Sequence, residues 1–139
     1  MKKNLTLQNL EKKGLIKREA KRKVLIVDNQ KDILVTMKNI AEREGYEATT
    51  EQDARKAVVI AGKTKFDLVI LDVMMPDMNG EEAAELMKKD AKGRPKIIFC
   101  TIVPKDEIEK MFLVDGFIQK PFEYRKFAGE LKRVLGEGK

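Results

Sequence analysis

Short, wholly apolar runs recur at residues 24–27, 68–71 and 97–100, with a shorter one at 117–118. They lack the alternation of a half-exposed strand and are rich in branched side chains. That pattern suits strands covered on both faces, as in a parallel sheet. A fifth, more polar strand is expected at 47–50. Between the runs the apolar positions change to helical spacing. Ile33, Met37, Ile40 and Ala41 share a face over 30–44, and Ala54, Ala57, Val58 and Ala61 share one over 52–63. Ala83, Leu86 and Met87 do so over 81–90, and Tyr124, Phe127, Ala128, Leu131, Val134 and Leu135 over 122–135. Pro104 suits the first turn of a further helix running to 114, with Ile108, Met111 and Phe112 on one side. Gly45 ends one helix, and Asn79, three residues ahead of Glu82, caps another. Five βα units in alternation predict an α/β fold, a parallel sheet covered on both faces through right-handed crossovers.

Polar residues close these strands. Asp28-Asn29 follow the first, Asp72 the third, Thr101 the fourth and Lys120 the fifth. Taken singly, each reads as a helix cap or a solvated charge. Together they fall along the one sheet edge where open α/β folds place their chemistry. Two close carboxylates repel unless a cation lies between them. A hard divalent ion with oxygen ligands fits, and Mg²⁺ is the expectation because it accepts few protein ligands and keeps its waters. An aspartate carboxylate is ionised at neutral pH and needs no general base to act as a nucleophile.

The segment 66–80, Phe-Asp-Leu-Val-Ile-Leu-Asp-Val-Met-Met-Pro-Asp-Met-Asn-Gly, resembles the phosphoacceptor segment of response-regulator receiver domains of the chemotaxis-regulator type. The resemblance runs from residue 23 to about 136. It implies a flavodoxin-like, doubly wound five-stranded sheet in the order 2-1-3-4-5. It also implies that Asp72 is the phosphorylated aspartate and Asp28 the first residue of the acidic pair. Asn29 stands where a second acidic residue binds the metal, and Met74 where a backbone carbonyl does. Thr101 matches the switch hydroxyl, Phe117 the switch aromatic and Lys120 the family lysine, followed by a cis bond to Pro121. Phosphoryl transfer through a loose transition state needs positioning and charge neutralisation. Mg²⁺ and Lys120 would supply positive charge, and Thr101 a hydroxyl donor. Two departures stand out. Asn29 is neutral where the pattern is acidic, and the interval from Thr101 to Lys120 is short.

Composition changes the picture in a few places. A chain of 139 residues is enough for one domain with a real core. The net charge of +6 belongs to the leader, since residues 1–23 hold nine Lys/Arg against two Asp/Glu. Residues 24–139 hold the remaining 20 Lys/Arg and 21 Asp/Glu. The expected division is therefore a basic extension, 1–22, and a receiver domain, 23–139. In the extension Leu5, Leu7, Leu10, Leu15 and Ile16 lie among lysines with poor periodicity, which reads as a loosely docked tail. It has no aromatic residue for base stacking, so direct nucleic-acid binding is not expected. The absence of histidine excludes triads and His-metal sites. No apolar run is long enough to span a membrane. The lone Cys100 cannot form an internal disulfide, which fits the cytoplasm, and as part of a buried strand it reads as inert core.

The expected function is that of a stand-alone, non-enzymatic response regulator. It would take a phosphoryl group on Asp72 from a histidine kinase, with Mg²⁺, and signal through a separate effector protein. The alternative is a pseudo-receiver, a protein-binding module independent of phosphorylation, which Asn29 favours. A flavin carrier on the same sheet would need Gly/Ser/Thr-rich donors after the first strand, where Asp28-Asn29 stand instead.

Overall fold

The computed structural model describes residues 6–15 and 20–137. A parallel five-stranded sheet runs in the order β2-β1-β3-β4-β5. Its strands are β1 (Lys23–Val27), β2 (Glu47–Glu51), β3 (Leu68–Leu71), β4 (Lys96–Thr101) and β5 (Gly116–Gln119). The helices are α1 (Leu7–Lys12) in the extension, then α2 (Lys31–Arg43), α3 (Ala54–Lys63), α4 (Gly80–Asp90) and α5 (Tyr124–Val134). No described helix is long and apolar enough to cross a membrane.

The period-2 pleat of the central strands divides the core in two. Leu25, Val27, Val69, Leu71, Ile97 and Phe99 face α3 and α4, where Ala57, Ala61, Ala83 and Met87 are buried against them. Val24, Ile26, Leu68, Ile70, Ile98 and Cys100 face α2 and α5, against Met37, Ile40, Phe127 and Leu131. Residues 24–27 and 68–71 are wholly inaccessible, which explains why those runs show no alternation. Local signals set the helix starts. The Asn79 side chain accepts the Glu82 N–H at 2.8 Å, and Asp53 accepts the Arg55 N–H at 2.8 Å. The Asp53 cap places the start of α3 at Ala54, later than expected.

The crossover from β4 to β5 differs from expectation. In place of a helix over 104–114 there are two 3-10 turns, Lys105–Glu107 and Met111–Leu113. The segment starts beyond Thr101 and re-enters the sheet where Gly116 pairs with Ile98, so it returns along about four residues of strand, roughly 13 Å. A helix over 104–114 would direct the Lys110 N–H to the Asp106 carbonyl, and here a glutamate of α4 takes that N–H instead. Ile108 is buried in the α3/α4 core, Met111 packs at its margin, and Phe112 points outward, 80% exposed. The Lys110 N–H donates to Glu81 Oε1 at 2.8 Å and its ammonium meets Glu85 Oε2 at 2.5 Å, which pins the crossover to α4. Tyr124, expected on the inner stripe of α5, is instead partly exposed and donates to Glu44 Oε2 at 2.6 Å.

In the extension, Thr6 caps α1 and the Leu15 N–H closes back on the Leu10 carbonyl at 3.0 Å beyond Gly14. Gly14 has φ +72, so this is a complete glycine C-cap. No α1 residue is buried. Leu5 and Ile16 lie outside the described residues.

Candidate functional site

Parallel register carries the strand ends to one edge. Val27 pairs with Leu71, and Leu71 with Phe99, so Asp28 and Asp72 leave adjacent strands side by side. Asp28 is 0% and Asp72 6% exposed. Lys120, just beyond β5, reaches across the end of β4 to both. Its Nζ donates to Asp28 Oδ2 and, at 3.0 Å, to Asp72 Oδ2. Burial alone would pull the Lys120 pKa down. The hydrogen bond to Asp28 and the charge of Asp72 outweigh it and leave the pKa raised, so the ammonium is held charged.

The other carboxylate oxygens are held by their own loops. Asp28 Oδ1 accepts the Gln30 N–H at 2.9 Å, and Asp72 Oδ1 accepts the Met74 N–H at 3.0 Å. These Asx-type bonds fix both side chains as the chain leaves the sheet. Gly80 seats the start of α4 against the same turn, and a Cβ there would fall 2.2 Å from the Asp72 carbonyl oxygen. Thr101 is fully buried at the end of β4. Its Oγ1 accepts the Val103 N–H at 3.3 Å, and a hydroxyl used as acceptor keeps its own proton to donate. The Thr101 carbonyl accepts the Lys120 N–H at 2.8 Å, and the Lys120-Pro121 peptide is cis.

The structure thus gathers Asp28, Asp72, Thr101 and Lys120 at one edge. Asn29 and Met74 lie at its mouth with exposed side chains. Asn29 lines a cavity of about 230 Å³ with Asp53, Met75 and Asp77, and its main-chain carbonyl accepts from Gln52 Nε2 at 3.2 Å. Phe117 is not brought to the carboxylates. It sits within β5 opposite Phe99, packed against the α3/α4 core, with its N–H on Glu130 Oε2 at 2.9 Å. Cys100 is buried on the α2/α5 side, and burial pushes its thiol up to about 12, so it carries no thiolate at neutral pH. Two residues bearing on the site escape sequence reasoning. The role of Gly80 follows from a contact eight positions upstream, and the side-chain reach of Gln119 toward neighbouring carbonyls has no sequence signal.

Among the described residues no group of three or more His, Cys, Asp or Glu is placed to hold a metal. Asp28 and Asp72 still present carboxylate oxygens side by side, the donor type that suits a hard cation that keeps several waters.

The response regulator receiver domain profile matches residues 24–132, and this chain belongs to that family. Receiver domains are signalling domains of two-component systems rather than classical enzymes. The chain is 29% identical over 118 residues to the alkaline phosphatase synthesis transcriptional regulatory protein PhoP of Bacillus subtilis, covering 82% of this chain and 48% of PhoP. It is 30% identical over 114 residues to response regulator SaeR of Staphylococcus aureus, covering 81% of this chain and 50% of SaeR. It therefore spans about half the length of the curated relatives it matches. Among solved structures, a CheY-like receiver domain protein from Methanospirillum hungatei superposes with TM-score 0.75 at 28% identity, over 84% of this chain and 95% of that one. Response regulator TrrA of Thermotoga maritima, in complex with Mg²⁺ and BeF, gives TM-score 0.75 at 28% identity, over 81% and 98%.

Proposed function

We propose that Asp72 accepts a phosphoryl group from the phosphohistidine of a histidine kinase, and that the modified domain changes its affinity for an effector protein. The observation that carries this reading is the Lys120 ammonium shared by two buried carboxylates at the C-terminal edge of a parallel sheet. In the transfer, an Asp72 oxygen forms the new P–O bond, the P–N bond to the imidazole breaks, and the imidazole leaves with the electron pair. The Asp72 loop presents the nucleophile, since the Met74 N–H already holds one carboxylate oxygen. Lys120 is released from Asp72 to meet the incoming phosphoryl oxygens, and Thr101 donates its hydroxyl proton to another. Mg²⁺ would be held by Asp28, Asp72, the Met74 carbonyl and Asn29, and when bound it neutralises phosphoryl charge. That TrrA is in complex with Mg²⁺ and BeF supports Mg²⁺ binding at the corresponding edge here.

Thr101 and Phe117 form the proposed switch pair, Phe117 lying beside a groove bordered by Phe112 and Arg133. The receiver begins at Lys23 in this reading, and the lone reduced cysteine suits the cytoplasm. The exposed, neutral Asn29 favours a second reading, a pseudo-receiver that binds its partner without phosphorylation. One assay separates the two. Intact mass after incubation with acetyl phosphate and Mg²⁺ should show one added phosphoryl group on the wild type and none on Asp72→Asn. Equal labelling of both would reject Asp72 as acceptor. A wild type that takes up no phosphoryl group would favour the pseudo-receiver.

A further inference from the structure

The side chain of Gln119 gathers three main-chain carbonyls. Its Nε2 donates to Thr101 O at 3.1 Å, Ile102 O at 2.9 Å and Lys120 O at 3.3 Å. The orientation is unambiguous, because a flipped amide would set its own oxygen against three others. With two N–H groups serving three acceptors, at least one bond is shared. Two of these carbonyls flank the peptide that leads from Thr101 to Val103, whose N–H orients the Thr101 hydroxyl. The third belongs to Lys120. The Thr101 carbonyl also receives the Lys120 N–H, so the ends of β4 and β5 are joined by ladder and side chain together.

We infer that Gln119 is a positioning residue for phosphoryl acceptance, an inference that rests on Asp72 being the acceptor. It touches neither carboxylate. It holds the backbone of the hydroxyl donor and of the ammonium in one rigid unit, so both groups arrive together at the oxygen atoms they neutralise. Gln119 lies at the surface; on loss of its amide the Ile102 and Lys120 carbonyls return to water and the buried Thr101 carbonyl keeps the Lys120 N–H, so folding is little affected. The effect falls on alignment, to which transfer rates are sensitive.

Donor chemistry separates this role from simple packing. Gln119→Met keeps shape and removes the donors. Gln119→Glu keeps shape and faces three carbonyls with an acceptor. Gln119→Lys restores donors to the same position, since an ammonium has three and no acceptor. With acetyl phosphate and Mg²⁺, followed by intact mass, Gln119→Met should label about 10-fold more slowly than wild type. Gln119→Glu should be at least as slow, and Gln119→Lys should recover most of the rate. The Mg²⁺ midpoint by thermal shift should stay within about twofold in all three, because Gln119 is no ligand. Labelling of Gln119→Met at the wild-type rate, or equal slowing of Met and Lys variants, would overturn the role while leaving Asp72 as acceptor. A matching fall in Mg²⁺ affinity would overturn it too. A wild type that takes no phosphoryl group would overturn the Asp72 reading and this role with it.

Discussion

Replacing Lys120 with methionine keeps the length of the side chain and removes the cation between Asp28 and Asp72. The three side chains are only 9%, 1% and 8% exposed, so solvent cannot take over the charge. Breaking a buried ion pair from one side typically costs about 3–5 kcal/mol. A ceiling comes from the escape route, in which one carboxylate takes a proton. Holding an aspartic acid neutral at pH 7, about 3 units above the ordinary value near 3.9, costs roughly 4 kcal/mol. The expected loss at pH 7 without metal is therefore about 3–4 kcal/mol. At some 4 °C per kcal/mol for a domain of this size, the melting temperature should fall by roughly 12–16 °C.

The pH dependence has a definite sign on both sides. Lowering the pH to 5 makes the proton cheaper by about 1.4 kcal/mol per unit, about 2.7 kcal/mol in all, so the gap between wild type and variant should shrink to roughly 0.3–1.3 kcal/mol. On the alkaline side the raised Lys120 pKa governs the wild type. Its contribution is complete below the unfolded lysine value near 10.4 and is lost as pH rises through the higher folded value. The gap should thus be widest between about pH 7 and 10. Urea melts of both proteins in EDTA at pH 5, 7 and 9 measure it. Adding Asp28→Asn to the variant should recover more than half of the loss at pH 7. A gap under 1 kcal/mol at pH 7, or one unchanged at pH 5, would refute the argument.

Gly80→Ala should lose about 1–3 kcal/mol, because the new Cβ meets main-chain atoms of Asp72 and Val73 at 2.2–2.8 Å that cannot swing aside. Thermal melts read the loss, and an unchanged melting temperature would mean that α4 slides freely over that turn. Asn29→Asp should tighten Mg²⁺ binding and lower the melting point of the metal-free protein. A unit pair at ~4 Å with an effective dielectric near 20 is attractive by about 4 kcal/mol before repulsion from Asp28 and Asp72 is subtracted. The net gain is well below that, and a Mg²⁺ midpoint no tighter than wild type would place the residue away from the metal. Ile108→Ala should cost about 2–4 kcal/mol, whereas Phe112→Ala should stay within about 0.5 kcal/mol. Equal costs by chemical denaturation would contradict the two-turn crossover.

The central strands were legible because residues 24–27, 68–71 and 97–100 are buried on both faces, which removes the alternation of a half-wet sheet. The residues that close them, Asp28, Asp72, Thr101 and Lys120, fall at one edge by parallel topology alone. The β4–β5 crossover was not legible. Ile108, Met111 and Phe112 mimic a helical face, and the side-chain hold of α4 on Lys110 that replaces the helix ladder has no local signal. Phe112 shares that spacing but points outward. The Glu81 and Glu85 hold on Lys110 and the Gln119 grip join residues through side-chain reach, and no local pattern announces such bonds. The start of α3 is set by the Asp53 cap, which the alanine stripe of the inner face does not mark.

The bond from Lys120 to Asp28 closes a stretch of 92 residues, and that to Asp72 one of 48. This links the site to the order in which the chain assembles. An intermediate with β1 and β3 already paired sets two carboxylates against each other with no ammonium between them, an arrangement unfavourable in itself. At neutral pH without metal, docking of β5 at the margin of the sheet relieves it. Contacts this distant in sequence form late, after shorter loops have closed. The same three charges that hold the edge together thus penalise stopping short of the last strand, and a chain with β5 out of register keeps the repulsion. Arrival of Lys120 marks completion of the sheet.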